Sequence, residues 1–79
     1  NNKQKKRVKT MNYQQRMIEL RKEQGRTQQE IADVLNTERG YYNKYEKGKH
    51  PLPIEHLIKL AKYYNVTSDY ILGLSDKKR

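Results

Sequence analysis

The chain has no cysteine, no tryptophan and no phenylalanine among its 79 residues. Without cysteine, neither disulfides nor thiolate zinc sites can stabilise a fold. A chain of this length buries only about 60 to 65% of the surface that it exposes when unfolded. Side-chain packing must therefore hold together one small domain, which has room for its fold and one binding face.

Long apolar segments are also lacking. No run approaches the ~20 apolar residues that a membrane-spanning helix needs, and no segment resembles a secretory signal. The basic stretches lack the apolar face of a helix that lies on a membrane surface. We therefore expect a soluble, cytoplasmic protein without a membrane partner.

Catalytic constellations are missing as well. Glu30 and Glu55 have no paired acid suited to acid–base chemistry, and no glycine-rich loop could cradle a phosphate. His50 and His56 have no carboxylate or cysteine at ligand spacing, so we expect surface residues and not metal ligands. These patterns predict a protein that is not an enzyme, with no metal, no cofactor and no evident small-molecule ligand.

Acidic residues are scarce: nine Asp and Glu stand against eighteen Lys and Arg, for a net charge of +9. This imbalance favours a polyanionic partner, with nucleic acid as the first candidate. We assign residues 1–12 to a basic tail without stable structure. The tail is either an arm that contacts phosphates or a groove, or a solvated extension. We assign residues 13–74 to the folded domain and residues 75–79 to a second basic tail.

We predict that the domain is helical throughout, because its sequence shows no strand-like alternation and its apolar residues recur at helical spacing. Thr27 and Glu30 in "TQQE" predict a capping box at the start of the second helix. Asn36 and Thr37 predict the following turn, with Thr37 as the N-cap of the third helix. We therefore predict an all-α domain of five short helices.

We expect Pro53 at the start of the fourth helix, because proline fits the first turn of a helix. Its apolar residues recur at spacings of three and four, which predicts a stripe facing the core: Ile54, Leu57, Ile58, Leu60, Ala61 and Tyr64. Asn65 is the predicted C-terminal cap of this helix. Thr67 caps a last, short helix.

The third helix, residues 38–47, has a glycine on its polar face. If Tyr42 and Tyr45 point to the core, helical geometry places the following residues on or beside the opposite face: Arg39, Gly40, Asn43, Lys44 and Lys47. Glycine within a helix costs about 0.5 to 1 kcal/mol relative to alanine, so Gly40 gives no folding benefit. It permits close backbone approach, which suits a helix in a major groove ~12 Å wide. We interpret this helix as a DNA recognition helix.

Five motifs occur in order and at characteristic spacing: "LRKEQG", "TQQEIA", "YEKGK", "LIKLAKYYNV" and "DYILG". Together they make residues 17–73 resemble the Cro and phage-repressor type of helix-turn-helix domain, also called the XRE family. The resemblance implies a lambda-repressor-like fold with the helix-turn-helix in helices two and three. It also implies a sequence-specific regulator of transcription from a bacterium or phage, and within that class a repressor.

Roles for individual residues follow from the resemblance. The base-reading positions are Arg39, Gly40, Asn43 and Lys44. The phosphate-binding positions are Thr27, Gln28, Tyr41, Lys47 and Lys49. The alternative role of Tyr41 is to cover the edge of the core. The family also forms a structural ion pair, which here joins Arg21 and Glu46.

The implied partner is double-stranded DNA with a palindromic operator, bound by a weak homodimer that is completed on the DNA. The candidate dimer contacts lie near the last helix: Tyr63, Tyr70, Ile71 and Leu74. The alternative is that these residues cover the core of a monomer. Two other functions stay open, namely a general RNA- or nucleic-acid-binding protein and a module that binds another protein, such as an antitoxin.

Overall fold

The computed structural model describes residues 12–79, and most of the predicted N-terminal tail, residues 1–11, lies outside that part. Five α-helices follow one another in the chain: α1 (Tyr13–Glu23), α2 (Gln28–Val34), α3 (Arg39–Glu46), α4 (Ile54–Tyr64) and α5 (Ser68–Leu72). Residues 12–79 contain no strand. The predicted all-α fold of five helices is confirmed.

Local hydrogen bonds define where the helices begin. Thr27 and Glu30 form the predicted capping box: the Thr27 side chain accepts from the Glu30 N–H at 3.0 Å, and the Glu30 side chain accepts from the Thr27 N–H at 2.8 Å. The predicted N-cap of α3 is wrong, because Glu38 and not Thr37 occupies that position. The Thr37 N–H donates to the Ala32 carbonyl at 2.9 Å, so Thr37 still belongs to the turn after α2.

Two asparagines adopt the left-handed conformation where the chain leaves a helix. Asn36 has φ +58° between α2 and α3, and Asn65 has φ +59° at the C-terminal end of α4. Asparagine tolerates this region better than most residues because its short polar side chain bonds locally. Both predicted turns are confirmed, and Asn36 lies in the turn that joins α2 to α3.

The hydrophobic core lies between all five helices and includes Tyr42 and Tyr45 of α3, as predicted. The stripe predicted on α4 is only partly correct. Leu57, Leu60 and Tyr64 are buried, whereas Ile54 is 65% exposed and Ile58 is 48% exposed. Ile58 is rotated by about 100° from Leu57. Ile54 lies in the first turn, beside an open groove of about 210 Å³.

The C-terminal segment packs back onto the domain. Arg16 of α1, only 7% exposed, donates to the carbonyl oxygens of Tyr70 at 3.3 Å and Ser75 at 3.4 Å, and to Asp76 Oδ1 at 3.0 Å. Its guanidinium carbon lies 4.0 Å from the centre of the Tyr70 ring. The Lys78 carbonyl accepts from the N–H of the α5 N-cap residue at 2.7 Å. Residues 75–78, which we predicted only as a basic tail, therefore contact α1 and α5.

The longest helices, α1 and α4, have 11 residues each. Across residues 12–79, no helix combines the length and apolar character that crossing a membrane requires.

Candidate nucleic-acid interface

α3 buries its tyrosine side and exposes its opposite side. Tyr42 is fully buried and Tyr45 is 3% exposed. The opposite side presents the exposed residues Arg39, Gly40, Lys44 and Lys47, with Lys49 in the loop that follows. We call these five residues the cationic face. Its residues other than Lys49 belong to the surface that the sequence predicts for a recognition helix, whereas Asn43 of that predicted surface is half-buried.

None of the four cations of this face takes part in a salt bridge with residues 12–79. The ion pairs within that part of the chain join Arg16 to Asp76, Arg21 to Glu46, Arg26 to Glu30 and Lys78 to Glu23. The charges of Arg39, Lys44, Lys47 and Lys49 are therefore not neutralised by neighbouring carboxylates. A surface of this kind attracts a polyanion and gains from the release of its counterions.

A buried carboxylate lies beneath the cationic face. Glu46 is 5% exposed, and it accepts from Arg21 Nε at 2.7 Å and from Arg21 Nη2 at 3.2 Å. It also accepts from the hydroxyl of Tyr42 and from Gln28 Nε2. The ion pair that the family resemblance implies is thus present, and it is one part of a larger network that joins α1, α2 and α3.

The network keeps Glu46 ionised. Burial alone would raise the pKa of the Glu46 carboxyl, but the hydrogen bonds from Arg21, Tyr42 and Gln28 outweigh it and lower the pKa below its ordinary value. Burial also raises the pKa of the Tyr42 phenol, with a further contribution from Glu46. Tyr42 therefore remains a neutral hydrogen-bond donor, and its buried hydroxyl has the partner that such a group needs.

Gln28, a predicted phosphate contact, is turned inward. Its Nε2 donates to Glu46 Oε1 at 2.9 Å and to Asn43 Oδ1 at 2.9 Å, which uses both amide hydrogens. Because an ionised carboxylate only accepts, Gln28 must present its NH2 group, and Asn43 must then accept through its oxygen. The Nδ2 group of half-buried Asn43 is left as the donor for an external acceptor. Sequence reasoning missed this link.

Tyr41 and His50 form an aromatic pair at the C-terminal end of the cationic face. Tyr41 is 45% exposed, and its ring stacks on that of His50 with centroids 5.0 Å apart and an interplanar angle of 27°. The ring of Tyr45 meets Tyr41 edge-on, and Lys44 Nζ lies 5.9 Å from the Tyr41 centroid. Tyr41 thus covers part of the core while leaving one side open, so both roles predicted for it fit its position.

The two histidines differ from the predicted surface residues, since both are half-buried. His56 meets the Tyr45 ring edge-on at 5.6 Å, and its buried Nδ1 has no hydrogen-bond partner within residues 12–79. Burial, followed by the charge of Lys59, lowers the pKa of His56. His56 is therefore a neutral packing residue of α4.

The candidate dimer contacts differ widely in exposure. Leu74 is 74% exposed and Tyr63 is 39% exposed, while Tyr70 is half-buried beneath Arg16. Ile71 is completely buried in the core, so its assignment as a dimer contact is wrong. The hydrophobic pattern of α5 covers only five residues, which is too short to predict which side of the helix faces the core.

Comparison with known families matches residues 17–71 to a family described as helix-turn-helix. The chain is similar to three proteins of Bacillus subtilis (strain 168). It is 38% identical to the uncharacterized HTH-type transcriptional regulator YobD over 64 residues, which cover 81% of this chain and 57% of that protein. The identity to the HTH-type transcriptional regulator ImmR is 36% over 63 residues, or 80% of this chain and 50% of ImmR.

The third relative is the SPbeta prophage-derived uncharacterized HTH-type transcriptional regulator YonR, at 35% identity over 60 residues, or 76% of this chain and 56% of that protein. The chain therefore spans about half the length of the curated relatives that it matches. No solved structure gives a significant match.

Proposed function

The chain belongs to the helix-turn-helix family, as its motifs predict, and from that premise we propose that it is a sequence-specific DNA-binding repressor of transcription. The observation that carries the proposal is the cationic face of α3, which is exposed and has no carboxylate partner within residues 12–79. Family membership also agrees with the prediction that this domain is not an enzyme.

In the proposed complex, α3 enters the major groove with Gly40 against the base edges. Arg39, at the first position of α3, donates both arms of its guanidinium to O6 and N7 of a guanine. Asn43 offers its Nδ2 hydrogens to an acceptor atom on an adenine or guanine. Lys44 reads a neighbouring base or holds a phosphate.

Phosphate contacts come from the rim of this surface. Lys47 and Lys49 are exposed after the last turn of α3, and we assign them to the DNA backbone together with the hydroxyl of Tyr41 and exposed Thr27. Gln28 takes a different role from the one that the resemblance implies. Because its amide hydrogens bind Asn43 and Glu46, it acts as a positioning residue that fixes the orientation of the Asn43 amide.

Selection of bound sites from random duplexes tests the proposal. The expected result is a two-fold symmetric consensus with half-sites about one helical turn apart, because family members of this type bind palindromes as dimers. Exposed Leu74 and Tyr63 are the remaining candidates for a weak dimer contact. Recovery of duplexes without any common sequence would instead favour a general nucleic-acid-binding protein.

Two substitutions separate base reading from phosphate binding. Arg39→Ala should relax the preference at one base pair per half-site by about 1 to 3 kcal/mol, because the bidentate contact to guanine is lost. Lys47→Ala, the matched loss of one charge from the same face, should weaken binding to all sequences alike. It should also lower the slope of log K against log salt by about 0.9 per protein chain. Fluorescence anisotropy with single-base operator variants measures both effects.

Equal losses on every sequence for both variants would remove the base-reading role of Arg39. Unchanged binding by a variant that lacks both side chains would favour a module that docks another protein.

A further inference from the structure

The chain has two histidines, and the fold places them in different surroundings. His56 is held against Tyr45 inside the domain. His50 lies at the C-terminal end of the cationic face, between Lys49 and Pro51. Apart from these two histidines, no side chain of this protein has an ordinary charge change between about pH 5 and pH 8. Of the two histidines, only His50 lies at the cationic face. A dependence of DNA binding on pH can therefore be tested at His50.

His50 is held in place from two directions. The N–H groups of Lys49 and His50 both donate to the Lys44 carbonyl, at 2.8 and 3.3 Å, and Gly48 allows this turn with φ +75°. On its other side the imidazole stacks on the ring of Tyr41 at 5.0 Å. The ring is thus ordered next to the loop to which we assign phosphate contacts, and little conformational entropy is lost when it binds.

His50 stacks on titratable Tyr41, donates its N–H to the carbonyl of Lys44, whose ammonium lies over the Tyr41 ring, and follows Lys49 in the loop. From α1, uncharged Gln14 packs beside Gly48, and the Tyr13 hydroxyl accepts from the Leu52 N–H of the same loop at 3.4 Å. No carboxylate within residues 12–79 forms a salt bridge with His50. Lys47, Lys49 and His50 thus form a short series of side chains along one end of the proposed interface.

We propose that protonated His50 donates a ring N–H to a phosphate oxygen of the DNA, so that binding takes up one proton and strengthens as the pH falls. The inference rests on the proposed function, because it needs DNA at the cationic face. A phosphate favours the cationic form of an imidazole that it contacts. By linkage, the affinity is highest where histidine is protonated and decreases as the pH rises through the histidine range.

The test measures binding to a labelled duplex of mixed sequence at constant ionic strength, from about pH 8 to about pH 5.5. A phosphate contact needs no particular sequence, so this probe does not depend on knowledge of the operator. The parent protein should bind about threefold more tightly at the lower pH. The salt slope should also become steeper by about 0.9 per His50 contact.

Two variants of His50 and one of His56 assign the effect. His50→Gln should lose both the pH-dependent gain and the steeper slope, whereas His50→Lys should bind tightly over the whole range because its charge is permanent. His56→Gln is the matched control and should keep the parent's pH dependence. Circular dichroism at both ends of the range checks that each variant is folded.

A pH dependence that is the same in His50→Gln and the parent would overturn the inference, and so would its loss in His56→Gln alone. Either outcome leaves DNA binding intact and therefore leaves the proposed function standing. Failure of the parent to bind any duplex at any pH would instead overturn the proposed function, and this inference with it.

Discussion

Replacing Arg21 with methionine should lower the free energy of unfolding by about 3 kcal/mol, because it breaks a buried ion pair. This is the largest effect on stability that we expect from a single substitution. Arg21 provides two of the four donors that bind the Glu46 carboxylate, whose side chain is only 3% exposed. Methionine retains much of the apolar stem but leaves a buried charge without its ionic partner. Urea denaturation followed by circular dichroism measures the change.

The matched control is Arg26→Met. Arg26 also pairs with a glutamate, but its distance to Glu30 is 3.8 Å and both side chains are nearly half exposed. Exposed pairs of this kind contribute about 0 to 1 kcal/mol. If the two variants lost similar amounts of stability, the Glu46 network would not have the structural weight that its burial indicates.

The effect of Arg21→Met should also depend on pH. The pKa of Glu46 is lowered in the folded domain, so its ionisation contributes stability above the ordinary carboxyl pKa of 4.5, and this stability is lost as the pH falls through the lower, folded value. A protonated Glu46 no longer needs Arg21. Without Arg21, the folded-state pKa of Glu46 is higher in the variant than in the parent. The difference in stability between the two should therefore be largest near neutrality and shrink as the pH falls through the variant's folded-state pKa.

Substitution of Gly40 should change stability and DNA binding in opposite directions. A Cβ atom at Gly40 would meet nothing within 4 Å, and the backbone of Gly40 is ordinary helix. Gly40→Ala should therefore stabilise the domain by about 0.5 kcal/mol. Gly40→Leu should also fold, but it should weaken operator binding at least about tenfold, or ~1.4 kcal/mol, because its side chain fills the space that the base edges require.

Thermal unfolding and anisotropy titrations of the same samples separate the two effects. Gly40→Ala is the control for the loss of glycine itself, since its methyl group adds little volume. Operator affinity that stayed at the parent level in Gly40→Leu would show that this part of α3 does not approach the bases.

The turns and helix starts were predictable because each depends on neighbours in sequence. Thr27 and Glu30 are three residues apart and complete their hydrogen bonds within one helical turn. Asn36 and Asn65 adopt the left-handed conformation because of their own short side chains. The exposed face of α3 followed from the same reasoning, since two buried tyrosines fix the rotation of a helix.

The polar contacts between helices were not predictable from pattern. Gln28 reaches Asn43 and Glu46 across 15 and 18 residues, and the bond depends on the distance and angle at which α2 crosses α3. The sequence pattern of a glutamine on the first turn of a helix is the same whether its side chain binds a phosphate or a buried carboxylate. The order of the family motifs identified the residues of the site, but the direction of each side chain came from packing.

The segment after α5 has a practical consequence for anyone producing this domain. A polypeptide trimmed at residue 74, where the hydrophobic pattern ends, would lose two of the three oxygen acceptors of the buried Arg16 guanidinium. It would also lose the Lys78 carbonyl that accepts from the Thr67 amide. The smallest fragment suited to expression, crystallisation or fusion to a reporter therefore ends no earlier than Lys78, with any affinity tag placed beyond it.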